Sequence, residues 1–253
     1  MSPLFRRRSG GAGGGTDDGA DVTPENLGTT SPPDGVSATP TGLSQDFGTP
    51  RWIVVVPVKP PARGKSRLEV PGLDRAALAH AIALDTLEAA SRCEIVAQVV
   101  VVTNDPALAR ESAMIPALRF VPEGEGRGLD AAVATGMAAI DPGGRMPRAA
   151  LLGDLPALRH ADLADALRVA ETVDRGVVAD AEGTGSTLVT AAPRVEWASA
   201  FGDPSFERHR ALGCTPLSVA DASTLRRDVD TADQLEAAAA LGLGPRTAAL
   251  LGA

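Results

Sequence analysis

The segment RRDVDTADQL, Arg226–Leu235, places Asp228 and Asp230 on either side of a single valine, just before a predicted helix. Like charges two residues apart lie on one face of an extended chain, and their repulsion is unfavourable unless a positive group faces them. Such a pair is most often a solvated strand end. The alternative is that the two carboxylates bind a divalent cation, and other parts of the sequence decide between these interpretations.

A third carboxylate belongs to the segment LLGDLPAL, in which Asp154 follows a short predicted strand. A lone aspartate at a strand end is often a turn residue. In open sheets covered by helices, however, ligands bind outside the carboxyl ends of the strands, which is where Asp154 is predicted to lie. Asp154, Asp228 and Asp230 together are a sufficient set of hard oxygen ligands for one or two Mg²⁺ ions shared with substrate phosphates. Such a cation would also remove the repulsion within the D-V-D pair.

A basic loop follows the first predicted strand in the segment VPVKPPARGKSRL. It carries four cations, Lys59, Arg63, Lys65 and Arg67, which suit a polyphosphate ligand. The GKS tripeptide is typical of a P-loop, but the Walker pattern requires glycine at the position of Lys59. Two consecutive prolines also remove amide donors that a P-loop uses. We therefore predict a phosphate-binding basic loop that is not a P-loop, with a solvated basic loop as the alternative.

Two later segments have the composition of anion-binding sites. AEGTGSTLV combines two glycines with three hydroxyls, including that of Thr187, although such clusters are mostly turns. In FGDPSFERHR, Gly202 and Ser205 come just before a predicted helix, whose N-terminus favours negative charge. Arg208, His209 and Arg210 add positive charge nearby, and an ordinary surface position is the alternative interpretation of the histidine.

No Ser-His-Asp arrangement or reactive cysteine is recognisable in a chain with three histidines and two cysteines. A phosphate nucleophile is already anionic at neutral pH, so it needs positioning and charge neutralisation rather than a general base. The lack of a convincing base is therefore consistent with phosphate chemistry.

The composition argues against several classes of protein. The 253-residue chain has a formal net charge of −8 and no basic stripe, so no nucleic-acid partner is expected. No apolar run approaches the roughly 20 residues of a membrane span, and the N-terminal arginines are not followed by the apolar region of a secretory signal. Cys93 and Cys214 are far apart and form no C-x-x-C, which favours the reducing cytoplasm over a disulfide framework or zinc site.

Strands and helices are predicted to alternate from residue 51 to 253, as in a mostly parallel sheet covered by helices. The predicted strands are 52–58, 99–105, 118–123, 148–156 and 176–181, and the predicted helices are 75–93, 106–114, 128–140 and 160–171. Thr231 and Gln234 have the spacing of a capping box that begins a further helix. Residues 1–50 contain ten glycines and six prolines, so we predict a disordered tail before this single domain.

Six segments in this order, VPVKPPARGKSRL, GLDAAV, GDLPAL, EGTGSTLV, FGDPSFERH and DVDTADQL, resemble the CofC/FbiD family of guanylyltransferases of coenzyme F-420 biosynthesis. The resemblance implies a three-layer, Rossmann-like nucleotidyltransferase fold of the GT-A type, with a mostly parallel mixed sheet flanked by helices. It also implies an enzyme that joins GTP to a phosphorylated three-carbon acid and releases pyrophosphate. Actinobacterial members use phosphoenolpyruvate and archaeal members 2-phospho-L-lactate. The composition, rich in alanine and in arginine over lysine, suggests a high-GC genome and favours phosphoenolpyruvate.

The resemblance further implies roles for individual residues. Two Mg²⁺ ions would be bound by Asp154, Asp228 and Asp230, with Lys59 as a further catalytic residue. Phosphoenolpyruvate would be bound by Thr187, Gly202 and Ser205, and the nucleotide by Lys59, Arg63, Lys65, Gly128 and Asp130. Relatives usually have asparagine at the last of these positions. A carboxylate only accepts hydrogen bonds whereas an amide also donates them, so the role of Asp130 is open.

Three alternatives are compatible with the sequence. First, 2-phospho-L-lactate or 3-phosphoglycerate could replace phosphoenolpyruvate, because each presents a phosphate and a carboxylate. Second, an enzyme of the same fold could use a sugar phosphate or molybdopterin, although such relatives typically have a glycine-rich loop after the first strand. Third, a non-catalytic doubly wound regulatory module would have no use for two later anion sites. The expected partners are GTP, phosphoenolpyruvate and a downstream transferase that uses the guanylylated product.

Overall fold

A computed structural model describes residues 52–60 and 68–252. The predicted tail, residues 1–50, lies outside the described residues. The same is true of Arg63 and Lys65, two of the predicted nucleotide-binding residues.

A seven-stranded mixed sheet runs through the described part of the chain. Its strands are β1 (Trp52–Pro57), β2 (Val96–Val102), β3 (Leu118–Val121), β4 (Arg148–Leu151), β5 (Arg175–Ala179), β6 (Ser186–Ala191) and β7 (Thr215–Pro216). Their order across the sheet is β3-β2-β1-β4-β6-β5-β7. All neighbours pair in parallel except β6, which is antiparallel to both β4 and β5.

The first strand is buried along its whole length, as its run of β-branched residues predicts. Its side chains alternate between two apolar clusters. Trp52, Val54 and Val56 belong to one cluster, and Ile53 and Val55 belong to the other. The sheet therefore has a core on each of its faces, which is why this strand contains no charged residue.

Helices cover both faces of the sheet. They are α1 (Arg75–Ser91), α2 (Pro106–Glu111), α3 (Leu129–Ile140), α4 (His160–Ala170), α5 (Ser205–Ala211), α6 (Ala232–Ala239) and α7 (Pro245–Leu251). Leu87 of α1 and Leu167 of α4 belong to the first cluster, whereas Val133 of α3 and Phe206 of α5 pack in the second. This is the predicted three-layer arrangement. Among the described residues, no helix is both long and apolar enough to span a membrane.

The predicted capping box begins α6. The backbone N–H of Gln234 donates to Thr231 Oγ1 at 3.3 Å, and the Gln234 side-chain oxygen accepts from the backbone N–H of Thr231 at 3.1 Å. Leu235 of α6 and Val229, just before the helix, pack with Ile82 of α1 in a third apolar cluster. The valine between the two aspartates is therefore an apolar anchor for the loop that carries them.

Several strand bounds differ from their predictions, and two of the differences lie close to the candidate site. Residues 186–191, interpreted from sequence only as part of an anion-binding turn, form the fully buried strand β6. The strand β4 ends at Leu151, although the sequence predicted it to continue to Pro156. Proline has no N–H to donate and is not expected inside a central strand, so the chain turns before it.

One edge of the sheet collects the candidate site residues. β1 to β5 run in the same direction, so their carboxyl ends share this edge, and β6 begins there because it runs in the opposite direction. Lys59 follows β1, Asp154 follows β4, and Asp180 follows β5, while Thr187 is the second residue of β6. The reversal of one strand thus brings Thr187 to the edge at which the parallel strands end.

Candidate active site

A cluster of carboxylates lies beside the loop before α6. The backbone N–H of Val229 donates to the carbonyl oxygen of Asp154 at 3.1 Å, which joins the loop after β4 to the D-V-D segment. Burial, and next the charges of Asp154, Asp180 and Asp230, raise the pKa of Asp228 to about 8. The structure therefore brings the three predicted aspartates into one neighbourhood. Their role as metal ligands stays a prediction.

Two further members of this cluster were not identified from the sequence. Carboxylate oxygens of Asp180, Glu182 and Asp228 lie within 4.8 Å of one another. Asp180 directly follows β5 at the carboxyl edge, as Asp154 follows β4. This position at a strand end is the feature from which Asp180 could be predicted in the sequence. Glu182 lies in the turn after Asp180, and its side chain accepts from Gln234 Nε2 at 3.0 Å. No sequence pattern indicated that contact, because its partner is in α6.

Asp180 also shapes the turn that leads into β6. Its two carboxylate oxygens accept from the backbone N–H groups of Thr184, at 2.9 Å, and Gly185, at 2.7 Å. A Cβ atom on Gly185 would lie only 2.3 Å from Asp180 Oδ2. The glycine at position 185 is therefore required for the carboxylate to reach the backbone of the turn.

The chemistry of this cluster fits a divalent cation. Asp228 Oδ1 is buried and has no hydrogen-bond partner among residues 52–60 and 68–252. Carboxylate oxygens are the protein ligands that Mg²⁺ prefers, and a nearby double positive charge favours the ionised form of a carboxyl group. A cation at this position would offset both causes of the raised pKa of Asp228, which are burial and then the repulsion from its neighbours.

The two predicted anion-binding segments meet next to β6. The backbone N–H of Phe206 donates to the carbonyl oxygen of Thr184 at 3.0 Å, which joins the start of α5 to the turn before β6. Thr187 Oγ1 is buried and has no hydrogen-bond partner in the described part of the chain. Ser205 is buried at the first position of α5, and Gly202 has a φ of +98°, which glycine adopts without strain. Thr187, Gly202 and Ser205 thus lie in adjoining segments, and their contact with a ligand stays a prediction.

His209 is fully buried, so its interpretation as a surface residue is wrong. The backbone N–H of Ala200 can only donate, and it lies 2.9 Å from His209 Nε2, so this nitrogen carries no proton. The proton of the neutral ring is then on Nδ1, which donates to Ser186 Oγ at 2.9 Å. Burial lowers the pKa of His209 to about 4. The predicted positive charge at this position is therefore absent at neutral pH, and the ring instead joins β6 to the segment before α5.

The Arg208 side chain is hydrogen-bonded to the backbone of the same segment. Its guanidinium donates to the carbonyl oxygens of Phe201, at 3.0 Å, and Pro204, at 3.1 Å, and also to that of Gly202. These contacts hold the loop before α5 in place. The positive charge that the sequence predicted near the anion site is thus partly balanced by carbonyl dipoles.

Asp130, whose role the sequence left open, lies in the first turn of α3. Its Oδ1 atom accepts from Ser199 Oγ at 2.7 Å and from the backbone N–H of Phe201 at 3.1 Å. The amide oxygen of asparagine can accept the same two bonds, which explains how either residue type can serve here. The structure shows a contact with the segment before α5, and the predicted contact with the nucleotide stays a prediction.

A cleft of about 520 Å³ opens at the carboxyl ends of β1, β2 and β3. Lys59 and Gly128, two of the predicted nucleotide-binding residues, are among the residues that line it. Asn104 and residues 123–127 complete much of the remaining wall. The strand next to β1 in the sheet is β4, and Asp154 comes after it in the chain. The strand next to β4 is β6, which carries Thr187. The carboxylate cluster therefore adjoins both the cleft and the two anion-binding segments.

Comparison with known proteins shows which family has this arrangement. Residues 52–249 match the family described as "Guanylyl transferase CofC like". The chain belongs to this CofC-like family. A phosphoenolpyruvate guanylyltransferase of Thermomonospora curvata is 49% identical over 203 residues, which cover 79% of this chain and 88% of that protein. Another, of Streptomyces scabiei, is 48% identical over 206 residues and covers 79% of this chain and 95% of that protein.

Solved structures resemble this CofC-like chain in fold. A putative nucleotide-diphospho-sugar transferase from Desulfovibrio desulfuricans G20 matches with a TM-score of 0.52 and 18% identity, covering 75% of this chain and 96% of that one. A mycobacterial homologue of the Mycobacterium tuberculosis protein Rv0371c, from strain JC1, matches with a TM-score of 0.51 and 22% identity, covering 76% and 96%. The family and the nucleotidyltransferase-like fold predicted from the sequence are both confirmed.

Proposed function

We propose that this CofC-like protein transfers GMP from GTP to phosphoenolpyruvate, giving enolpyruvyl-diphospho-5'-guanosine and pyrophosphate, as a step of coenzyme F-420 biosynthesis. Curated relatives with 49% and 48% identity, which align over most of their length, are named phosphoenolpyruvate guanylyltransferases. The structural observation that supports the proposal most is the position of the carboxylate cluster, which adjoins the cleft on one side and Thr187 on the other. A reaction between two phosphate-bearing substrates is helped by two anion-binding regions that meet at a positive charge, which a cation bound by these carboxylates would supply.

The proposed reaction has one bond-forming and one bond-breaking event. An oxygen of the phosphoenolpyruvate phosphate forms a bond to the α-phosphorus of GTP, and the bond from that phosphorus to the oxygen of the β-phosphate breaks. Pyrophosphate leaves with the electron pair of the broken bond. Because the attacking phosphate is already anionic near neutral pH, no side chain has to remove a proton from it.

Two groups of residues would position the two substrates. Lys59, with Arg63 and Lys65 outside the described residues, would hold the phosphates of GTP. Thr187, Gly202 and Ser205 would hold the phosphate and carboxylate of phosphoenolpyruvate, and the buried hydroxyl of Thr187 has no other partner among the described residues. In-line alignment of the two substrates then supplies much of the rate enhancement.

The carboxylates Asp154, Asp228 and Asp230 would hold Mg²⁺, which we propose as two ions, and Asp180 and Glu182 lie close enough to share in this function. A bound Mg²⁺ would neutralise charge on the phosphates and orient the α-phosphate. Magnesium is favoured over softer metals because every candidate ligand is a carboxylate oxygen.

The chemistry of the proposed product indicates which class of partner would use it. The product contains a new phosphoanhydride, so a downstream transferase is the class of partner that would consume it.

Cys93 and Cys214 are both buried and both free. Free thiols persist in a reducing compartment, which supports the cytoplasm as the location of the reaction.

A direct assay tests the proposal. The purified chain is incubated with GTP, Mg²⁺ and one acid at a time, and pyrophosphate release is measured. We expect release with phosphoenolpyruvate and much less with 2-phospho-L-lactate or 3-phosphoglycerate. Equal or faster release with either of the other acids would replace phosphoenolpyruvate as the acceptor. Absence of release with all three acids would overturn the guanylyltransferase proposal and favour a regulatory module.

A further inference from the structure

Two polar residues at the ends of neighbouring strands form one corner of the 520 Å³ cleft. Asn104 follows β2, and Glu123 follows β3. The backbone N–H of Glu123 donates to Asn104 Oδ1 at 3.0 Å. Because an N–H can only donate, this bond fixes which end of the Asn104 amide is the oxygen. The Nδ2 group, a donor of two hydrogen bonds, is therefore the end that is left to face a ligand.

The Glu123 side chain is the acceptor beside that donor. It is half-buried, and within residues 52–60 and 68–252 its carboxylate has no hydrogen bond or ion pair. A carboxylate at neutral pH only accepts hydrogen bonds. The carboxylate remains accessible to water, which a donor group on a ligand would displace. The corner thus presents a donor and an acceptor side by side to whatever enters the cleft.

The loop that carries Glu123 is held close to α3 by glycines. A Cβ on Gly124 would lie 3.0 Å from Thr135 Oγ1, and a Cβ on Gly126 would lie 2.7 Å from the Cβ of Ala131. The small size of glycine therefore lets the backbone of this loop lie directly against the helix. This packing and the bond from its backbone N–H to Asn104 position the backbone of Glu123 at the cleft.

We propose that Glu123 and Asn104 select guanine as the base of the nucleotide. The carboxylate of Glu123 accepts from the guanine N1–H and the exocyclic N2 amine, and Asn104 Nδ2 donates to O6. Adenine has the opposite pattern, with an amine at C6 and an unprotonated N1. In adenine the C6 amine would meet the Asn104 donor, and N1 would meet the Glu123 carboxylate. This inference rests on the proposed function, which supplies GTP as the substrate.

The test compares turnover with three nucleotides instead of turnover with GTP alone. Pyrophosphate release is measured with GTP, ITP and ATP, because ITP differs from GTP only by the loss of the N2 amine. We expect Glu123→Gln to lower kcat/KM for GTP roughly 10- to 100-fold, mainly through KM, and to reduce the preference for GTP over both ITP and ATP. Unchanged nucleotide preferences in Glu123→Gln would overturn the proposal.

Asn104→Asp provides a variant that keeps the loop in place. The aspartate retains an oxygen for the Glu123 N–H but replaces the donor that faces guanine O6 with an acceptor. We expect weaker use of GTP and a relative gain for ATP, whose C6 amine can donate to the new oxygen. The double variant Asn104→Asp with Glu123→Gln should move the preference further towards ATP, because glutamine can donate to adenine N1. A double variant that retains the wild-type preference for GTP would contradict the assignment.

Glu125 is the competing carboxylate, since it lines the same cleft but is exposed. We expect Glu125→Gln to retain the wild-type order of GTP, ITP and ATP. If Glu125→Gln loses the preference and Glu123→Gln keeps it, the proposal is wrong. Glu171→Gln, an exposed change at the end of α4, controls for a general effect of removing one negative charge.

Direct binding separates this inference from the proposed function. Calorimetric titration of the intact chain with GTP and ATP measures base selectivity without turnover. If the wild-type chain prefers GTP in binding but releases no pyrophosphate, the guanylyltransferase proposal fails, and Glu123→Gln still tests the base contact. If GTP and ATP bind equally to the wild-type chain, the inference fails, whatever the activity.

Discussion

Asp130 and Phe201 are joined by a hydrogen bond of 3.1 Å from the Phe201 backbone N–H to Asp130 Oδ1, although 71 positions separate them in the chain. The same oxygen accepts from Ser199 Oγ at 2.7 Å. The first turn of α3 follows Gly128, which lines the cleft, whereas Ser199 and Phe201 lie just before Gly202. One carboxylate oxygen thus connects the wall of the proposed nucleotide cleft with the proposed acceptor segment.

Removing this connection should affect the acceptor more than the nucleotide. We expect Asp130→Ala to raise KM for phosphoenolpyruvate roughly 10-fold, because two hydrogen bonds to a charged group are lost. Asp130→Asn keeps an acceptor oxygen and should remain within about threefold of wild type, which corresponds to about 0.6 kcal/mol. Steady-state kinetics with each substrate varied in turn give the two KM values. A larger rise in KM for GTP in Asp130→Ala would instead support the direct nucleotide contact predicted from the sequence.

The carboxylate cluster should be required for turnover but not for folding. We expect Asp228→Asn to reduce kcat by about 100-fold or more, because a ligand for the proposed cation is lost. Burial and neighbouring negative charge disfavour the ionised form of Asp228, so the neutral amide should not lower the Tm measured without divalent cations.

Asp233→Asn is the matched control for this variant. Asp233 lies five positions further along the chain, in the first turn of α6, and is exposed. It should retain nearly full activity. Wild-type kcat in Asp228→Asn, measured at saturating Mg²⁺ and substrates, would show that the aspartate is not a metal ligand in the reaction.

The buried histidine should make stability depend on pH. The pKa of His209 is about 4 in the folded protein, compared with about 6.5 for an unperturbed histidine, so between these values the unfolded chain binds more protons. Stability is therefore fully present above pH 6.5 and decreases as the pH falls towards 4, by at most about 3 kcal/mol from this residue. Urea unfolding at pH 4 to 8 measures the effect.

His209→Gln identifies the source of that dependence. It should be less stable at pH 7, because one side-chain contact of the ring is lost, and it should lack the part of the pH dependence that His209 contributes. His160→Gln, at the exposed start of α4, should retain the wild-type profile. If the free energy of unfolding depends on pH equally in wild type and His209→Gln, His209 is not the cause of that dependence.

Gly185 should tolerate no side chain. The Cβ of Gly185→Ala would lie 2.3 Å from Asp180 Oδ2, so we expect the carboxylate to leave the turn and its place in the cluster to change. We expect a loss of about 1–3 kcal/mol in stability, as in other overpacked sites, together with weaker Mg²⁺ dependence of turnover.

Gly183→Ala provides the comparison, because it lies in the same turn with a φ of +78° and no atom within 4 Å of its Cβ position. It should cost about 1–2 kcal/mol through backbone strain alone and leave the response to Mg²⁺ unchanged. Urea unfolding and Mg²⁺ titration of activity distinguish the two variants. Equal Mg²⁺ dependence in both would show that Gly185 does not act through Asp180.

Local patterns in the sequence were sufficient for much of the fold. The β-branched run of β1 predicts a strand buried on two faces, and Thr231 with Gln234 predicts the start of α6, because each signal depends on neighbouring residues only. Asp154 was identified from its position at a strand end. Asp180 satisfied the same criterion and was missed, and Glu182 joins the cluster through a turn and a contact with α6 that no local pattern specifies.

The sequence by itself determined the alternation of strands and helices, the acidic and basic segments and the family. Only the tertiary structure decided which of these segments meet. The direction of β6 brings Thr187 to the edge where the parallel strands end, and strand direction depends on pairing between residues distant in the chain. The state of His209 was decided in the same way, because burial and a backbone donor from Ala200 keep its ring neutral. Hydrogen-bond partners and solvent exclusion are properties of the packed molecule, and they are not encoded in the type of a single residue.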